Sequence, residues 1–79
     1  MRNWIRGNRE SLLEEIEPDF IETVLDDMKG VSRDDRALWL DGSKSRKERA
    51  KNFIDFVFQN DECVMVFKQK AIAELGLAD

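Results

Sequence analysis

The stretch SRKERAKNFIDFVFQN, residues 45–60, combines an apolar stripe at helical spacing with the densest group of basic residues in the chain. The stripe consists of Ala50, Phe53, Ile54 and Val57. Their spacing of i, i+3, i+4 and i+7 places them on one face of a helix and predicts that this face is buried. Ser45 and Glu48 have the spacing of a capping box, so we expect the helix to begin after Ser45 and to run from Arg46 to Gln59. The stretch therefore predicts a long helix with a buried apolar face and basic residues facing solvent or a partner.

Phe56 and Phe58 flank this stripe. Each lies about 100° from it at 3.6 residues per turn, so they cannot both join it fully. We expect at least one of them to be partly exposed. An exposed phenylalanine next to basic side chains would be a candidate interaction patch.

Length and composition indicate one soluble domain that spans residues 1–79. The chain has 42% hydrophobic and 38% charged residues, which is typical of a small globular protein with a charged surface. No apolar run approaches the ~20 residues that cross a bilayer. Arg2 and Arg6 are not followed by the apolar run of a secretory signal. We therefore expect a cytoplasmic protein that does not bind membranes.

The sequence contains no histidine and one cysteine, Cys63. An intramolecular disulfide is impossible, and the usual metal sets and histidine-based acid–base pairs are unavailable. We expect a protein that is not an enzyme, with no catalytic residues, no metal site, no cofactor and no small-molecule substrate. Cys63 is interpreted as a small apolar residue; a reactive thiol near a helix N-terminus is the alternative, although no general base is evident.

Charge is unevenly distributed along the chain. Residues 9–35 are rich in aspartate and glutamate, residues 44–51 are mainly basic, and the formal net charge is −4. The total opposes general attraction to nucleic acid, although a local basic face could still bind it. A surface with two regions of opposite sign is predicted.

The first half of the chain predicts three helices. Residues 2–17 form the first, bent or split near Gly7 because glycine is unfavourable inside a helix. Pro18 suits the start of a second helix, which we expect to run to about Lys29, with Gly30 as its left-handed terminating residue. Ser32 is the expected N-cap of a short third helix that ends before residue 41.

The second half predicts the helix over residues 46–59 and a fifth helix, with Asp61 as its N-cap. Residues 76–79 could be frayed or could open a short sixth helix. Residues 63–67 have β-propensity, but no second strand is available to pair with them. Short connections make successive helices neighbours, so the predicted fold class is an all-α antiparallel bundle. Trp4 and Trp39 lie in apolar stripes and are expected in its core.

Residues 49–61 resemble the fourth helix of a caspase recruitment domain (CARD), a member of the death-fold superfamily. Asn8-Arg9 followed by Leu12 and Ile16 is similar to the commonly bent first helix of that family, and residues 67–71 resemble its fifth. The resemblance implies a death-fold bundle of five to six helices, the first bent. The third helix is shorter than the family pattern, and the sixth is short or missing.

The resemblance also implies a function. CARDs bind one another homotypically, so the expected partner is a CARD-containing protein, possibly a second copy of this chain. Such contacts build apoptotic and innate-immune signalling assemblies, including inflammasomes, in which an adaptor oligomerises. Carried over by position, the basic surface would be formed by Arg9, Arg46, Lys47 and Arg49. The acidic surface would be formed by Asp26, Asp27, Asp34 and Asp35.

Three alternatives stay open. The basic run considered alone is typical of a solvated helix face. A nucleic-acid-binding helical domain would lay the helix from Arg46 on phosphates, against the acidic total. A CARD-only decoy would cap assemblies instead of propagating them.

Overall fold

Six α-helices make up the computed structural model of the chain, which describes residues 2–28 and 30–77. They are α1 (Arg2–Gly7), α2 (Arg9–Glu15), α3 (Pro18–Leu25), α4 (Arg33–Leu40), α5 (Arg46–Gln59) and α6 (Asp61–Leu75). No strand occurs in the described ranges, so the predicted all-α fold class is confirmed. None of these helices has the combination of length and apolar character that crossing a bilayer requires.

The predicted first helix is split into α1 and α2, and the break falls at Asn8, directly after Gly7. The Asn8 side chain donates through Nδ2 to the carbonyl oxygen of Trp4 at 2.8 Å, and its backbone N–H donates to the same oxygen at 3.1 Å. Short polar side chains that bond to nearby backbone compete with continued helix in this way. The predicted division is therefore confirmed, with asparagine closing the end of α1.

The predicted second helix begins at Pro18 as expected but ends at Leu25 instead of near Lys29, so its predicted end is wrong. The N–H groups of Asp27 and Met28 donate three residues back, to Val24 and Leu25, at 3.0 and 3.2 Å. This tight turn replaces the last predicted helical turn. Carboxylates are unfavourable at the negative C-terminal end of a helix dipole, which gives a physical reason for the early end at residues 26–27. Lys29 itself lies outside the described residues.

Both serine N-caps are confirmed. The Ser32 hydroxyl accepts from the Asp35 N–H at 3.1 Å, and the Ser45 hydroxyl accepts from the Glu48 N–H at 3.1 Å. Each bond satisfies one of the N–H groups that a helix start leaves without a partner. As a result α4 begins at residue 33, and α5 covers residues 46–59 as predicted.

Asn60 links the last two helices and is the N-cap of α6, so the prediction of Asp61 in that role is wrong. Its side chain donates back to the carbonyl oxygen of Phe56 at 2.7 Å, which closes the end of α5. Asp61 lies instead in the first turn of α6, where its charge suits the positive end of the helix dipole. At the other end Gly76 is left-handed with φ 70°, and residues 76–77 are not helical. Residues 78–79 lie outside the described part of the chain.

The core is built around α5, which contacts α2, α3, α4 and α6. Trp39 is only 1% exposed, and its ring centroid lies 5.0 Å from that of Phe53, which in turn lies 5.7 Å from that of Phe67. These edge-on arrangements are the favoured packing of aromatic rings. Every buried residue in the described ranges is apolar or cysteine. Trp39 is therefore a core residue as predicted, whereas Trp4 is half-buried and packs on the edge of the core.

Candidate protein interaction surfaces

Two of the four residues of the predicted basic surface bridge α2 and α5 by ion pairs. Arg9, the first residue of α2, lies 3.2 Å from the Asp55 carboxylate on α5. Lys47 lies 3.5 Å from the Glu14 carboxylate on α2. These side chains are all well exposed, and ion pairs at such positions contribute only ~0–1 kcal/mol. Both cations can therefore exchange their present partner for another carboxylate at little cost.

Arg46 is committed to the fold. Its Nη1 atom donates to the carbonyl oxygens of Leu13, Glu14 and Ile16 at 3.2, 2.8 and 3.0 Å. The end of a helix leaves its last carbonyl groups without intrahelical partners, and a positive charge is favourable there. The guanidinium thus caps the end of α2 through Nη1 while the side chain stays half-buried, and its contact with a partner stays a prediction.

Arg49 is half-buried beside the loop between α4 and α5. Its Nε atom is enclosed and has no hydrogen-bond acceptor within the described structure. In the same loop the pKa of Asp41 is lowered, chiefly by hydrogen bonds that its carboxylate accepts from the N–H of Ser43 at 2.9 Å and the hydroxyl of Ser43 at 2.8 Å. The positive charges of Lys44 and Arg49 add smaller effects in the same direction. Arg49 therefore lies near the charged loop between α4 and α5.

The predicted acidic surface is divided between the turn after α3 and the first turn of α4. Asp26 and Asp34 are exposed, Asp35 is half-buried, and none of the three forms an ion pair within residues 2–28 and 30–77. Asp27 lies 2.9 Å from Lys70 Nζ on α6, and this bond raises the pKa of Lys70. Three of the four predicted carboxylates are thus available to a partner.

A basic and aromatic cluster lies between α1 and the end of α5 and consists of Arg2, Arg6 and Phe58. Phe58 was one of two candidates for an exposed phenylalanine beside basic side chains, whereas Arg2 and Arg6 were not predicted as site residues. The guanidinium carbons of Arg2 and Arg6 lie 5.7 and 5.2 Å from the centroid of the Phe58 ring, which is within the range of cation–π attraction. Arg2 also donates through Nε to the carbonyl oxygen of Phe58 at 2.7 Å and pairs with Asp61. The spacing of Arg2 and Arg6 by one helical turn was the available signal, but their partner on α5 is more than fifty residues away in sequence.

Phe56 and Phe58 face different sides of α5. Phe56 packs against Trp39, with 4.8 Å between the ring centroids, whereas Phe58 lies under the arginines of α1. Both rings are half-buried. The prediction that at least one would be partly exposed is confirmed.

A groove of about 210 Å³ runs beside Phe58, between α1, α2 and the end of α5. It is lined by Ile5, Arg6, Arg9, Asp55, Phe58 and Gln59. The accessible apolar surface of the groove comes from the half-buried Phe58, since Ile5 at its base is 1% exposed, and two guanidinium groups and the Asp55 carboxylate border it. Such a mixture suits a partner that presents an apolar side chain next to a carboxylate.

Cys63 is a structural residue. It is 5% exposed, and burial, followed by the negative charge of Glu62, raises the pKa of its thiol. The interpretation as a small apolar residue is confirmed by this environment, which disfavours the thiolate that a reactive cysteine requires. Within the described residues, no three His, Cys, Asp or Glu side chains are grouped so that they could hold a metal ion.

Comparison of the chain with protein-family models gives no match, and comparisons with curated proteins and with solved structures give none either. The resemblance to caspase recruitment domains therefore rests on the residue pattern alone and stays a prediction. Beyond that pattern, the argument for a function depends on the positions and contacts of the charged side chains.

Proposed function

We propose that the chain is a non-enzymatic interaction module that binds a caspase-recruitment-type domain, a second copy included, through surfaces of opposite charge. One observation carries the proposal. Asp26 and Asp34 are exposed carboxylates without ion pairs in the described ranges, while the cations of α1, α2 and the start of α5 lie on other elements. Two different patches on one rigid body make heterologous contacts, which build rings or open filaments.

The charges select partners more than they supply affinity. Exposed ion pairs contribute ~0–1 kcal/mol each, and their main effects are to speed encounter and to reject surfaces of like sign. A stable complex therefore needs several such pairs together with apolar contact. The proposed cellular setting is a cytoplasmic assembly in apoptotic or innate-immune signalling, where an adaptor of this kind would oligomerise; this part of the proposal is supported by the family resemblance.

The proposal is tested by reversing exposed charges that contribute little to the stability of the fold. Asp26→Lys and Lys47→Glu each change an exposed side chain outside the core. We expect each variant to weaken self-association in sedimentation velocity, and capture of purified caspase recruitment domains, by about tenfold, which corresponds to ~1.4 kcal/mol. Glu10→Lys, an exposed charge reversal on α2 outside both predicted surfaces, is the control. Circular dichroism verifies the fold of each variant, and unchanged binding by Asp26→Lys and Lys47→Glu would reject the assigned surfaces.

A nucleic-acid-binding helical domain is the second candidate, and the pairing of Arg2 and Arg6 with the Phe58 ring favours it, since cations and aromatic rings together bind single strands. Against it stand the net charge of −4 and the engagement of Arg46 within the fold. Titration of a labelled single-stranded oligonucleotide at increasing salt separates the two functions. Phosphate neutralisation produces a steep loss of affinity with salt, and absence of binding at low salt removes this candidate.

A capping decoy is the third candidate, and it differs from a propagating adaptor in the size of the complex that it forms with partner domains. A decoy binds one partner domain and stops growth, whereas an adaptor extends the assembly. Electron microscopy of the purified chain, alone and added to a filament-forming caspase recruitment domain, discriminates between them.

A further inference from the structure

We propose that Asp55 is an autoinhibitory residue that weakens binding through the basic side of the bundle. Its carboxylate neutralises two cations that a carboxylate of a partner would otherwise contact. The inference rests on the proposed function and adds a regulatory element to it, because neutralisation of this one acidic side chain should make the chain associate more tightly.

The Asp55 carboxylate lies between cations of two helices. Its Oδ1 atom accepts a hydrogen bond from Arg9 Nη2 on α2 at 3.2 Å. Its Oδ2 atom lies 3.9 Å from Lys51 Nζ, one turn earlier on α5. The side chains of Arg9, Asp55 and Lys51 are 39%, 43% and 60% exposed, so all three reach solvent. One carboxylate thus uses both of its oxygen atoms to neutralise two cations at the surface.

The basic and acidic sides of the molecule differ in how their charges are paired. On the basic side, carboxylates of α2 and α5 pair with cations of the same two helices, which are Arg9, Lys47 and Lys51. On the acidic side, three carboxylates form no ion pair within residues 2–28 and 30–77, and these are Asp26, Asp34 and Asp35. The acidic side is therefore open to a partner, whereas the basic side is neutralised from within the molecule.

This neutralisation opposes binding in two ways. A carboxylate of a partner must displace Asp55 from Arg9 and Lys51, and it must also approach the negative charge of Asp55 itself. Asp55 lies 3.2 and 3.9 Å from the two cations, well inside the Debye length of about 8 Å at physiological ionic strength. Exposed ion pairs are nevertheless weak. Asp55 therefore raises the concentration at which the chain associates without preventing association.

The charge of Asp55 can be removed with little change to the fold. The side chain is half-buried and lies outside the apolar core. Asparagine has nearly the same shape and keeps a side-chain oxygen that can accept from Arg9. Asp55→Asn therefore removes the negative charge and preserves the packing of α5.

The first test compares two neutralised carboxylates. Asp55→Asn is expected to strengthen self-association in sedimentation velocity by about threefold or more at low ionic strength, a factor limited by the weakness of exposed ion pairs. Asp19→Asn is the matched control, because it makes the same substitution at an exposed carboxylate on α3 that has no ion pair in the described ranges. Both variants change the net charge equally, and thermal unfolding verifies that both fold. Equal association of the two variants would overturn the proposal.

A double-mutant cycle identifies the cause of the gain. In a chain that carries Arg9→Gln and Lys51→Gln, Asp55 no longer has these cations to neutralise. Adding Asp55→Asn to that chain is expected to leave its association unchanged. A gain of the original size in this background would show that Asp55 acts independently of the two cations, and the proposal would be wrong.

The gain should also depend on salt. Because the effect of Asp55 is electrostatic, the ratio of the association constants of Asp55→Asn and the unmodified chain is expected to fall between about 50 mM and about 0.5 M sodium chloride. Asp19→Asn provides the reference at each salt concentration. A ratio that is the same at both concentrations would mean that the substitution acts through packing, which contradicts the proposal.

The outcomes separate this inference from the proposed function. If Asp26→Lys and Lys47→Glu weaken association but Asp55→Asn leaves it unchanged, autoinhibition by Asp55 is overturned and the proposed function stands. If neither the unmodified chain nor Asp55→Asn associates with itself or captures a caspase recruitment domain, both are overturned. If Asp55→Asn associates under conditions in which the unmodified chain stays monomeric, both are supported.

Discussion

The Nη1 atom of Arg46 lies 3.0 Å from the carbonyl oxygen of Ile16, the C-cap residue that follows α2. The same atom lies 2.8 Å from the carbonyl oxygen of Glu14. The first residue of α5 thus closes the last turn of α2. The basic start of α5 therefore contributes to the fold as well as to the surface.

Arg46→Ala is expected to lower the free energy of unfolding by about 1–2 kcal/mol, since hydrogen bonds to charged groups contribute ~1.5–3 kcal/mol and this one is partly exposed. Lys47→Ala is the matched control, because Lys47 is exposed and only pairs with Glu14; its expected effect is within about 0.5 kcal/mol. Urea unfolding followed by circular dichroism measures both. Equal effects of the two substitutions would show that the cap does not stabilise the bundle.

The boundaries of α5 and the starts of α4 and α5 could be predicted because the interactions that set them are local. Ser32 and Ser45 each accept from an N–H three residues on, and an apolar stripe repeats within one helix. Local signals can also conflict. Met28 continues the apolar stripe of the second helix and is buried, yet the chain turns at Asp26 and Asp27 before reaching it.

The candidate surfaces were harder to predict because they depend on how distant segments meet. Nothing near Arg46 in sequence indicates that its guanidinium reaches carbonyl groups some thirty residues earlier. Likewise Arg2 and Arg6 have no local feature that indicates a phenylalanine on α5. Periodicity showed that Phe56 and Phe58 differ in orientation, but only the packing of α4 and α1 decides which ring each helix covers.

Phe53→Ala is expected to cost about 3–5 kcal/mol, because removal of a fully buried ring loses its transfer free energy and leaves a cavity. Phe53 is 0% exposed and contacts the rings of both Trp39 and Phe67. Phe58→Ala removes the same side chain from a half-buried position and should cost clearly less. Thermal or urea unfolding of the two variants measures the difference, and equal losses would contradict the assignment of Phe53 to the centre of the core.

Gly7→Ala and Gly30→Ala are expected to change stability in opposite directions. Gly7 ends α1, and Gly30 has a left-handed φ of 77°. Alanine in place of a helical glycine stabilises by roughly 0.5–1 kcal/mol, whereas a left-handed non-glycine residue costs roughly 1–2 kcal/mol. An added Cβ meets no atom within 4 Å at either position, so backbone conformation alone decides the sign. If Gly7→Ala and Gly30→Ala shift the melting temperature in the same direction, this explanation is refuted.

Cys63 is expected to react slowly with thiol reagents in the folded protein. Its side chain is 5% exposed, and burial together with Glu62 raises the pKa of the thiol, so less thiolate is present at any given pH than in the unfolded chain. Reaction with a maleimide at mildly alkaline pH should be slow in buffer and fast in concentrated urea. Phe53→Ala, which destabilises the core that covers Cys63, should raise the rate in buffer because transient opening becomes more frequent. A native rate equal to that in urea would mean that the thiol is accessible and reactive, and that Cys63 is not part of the core.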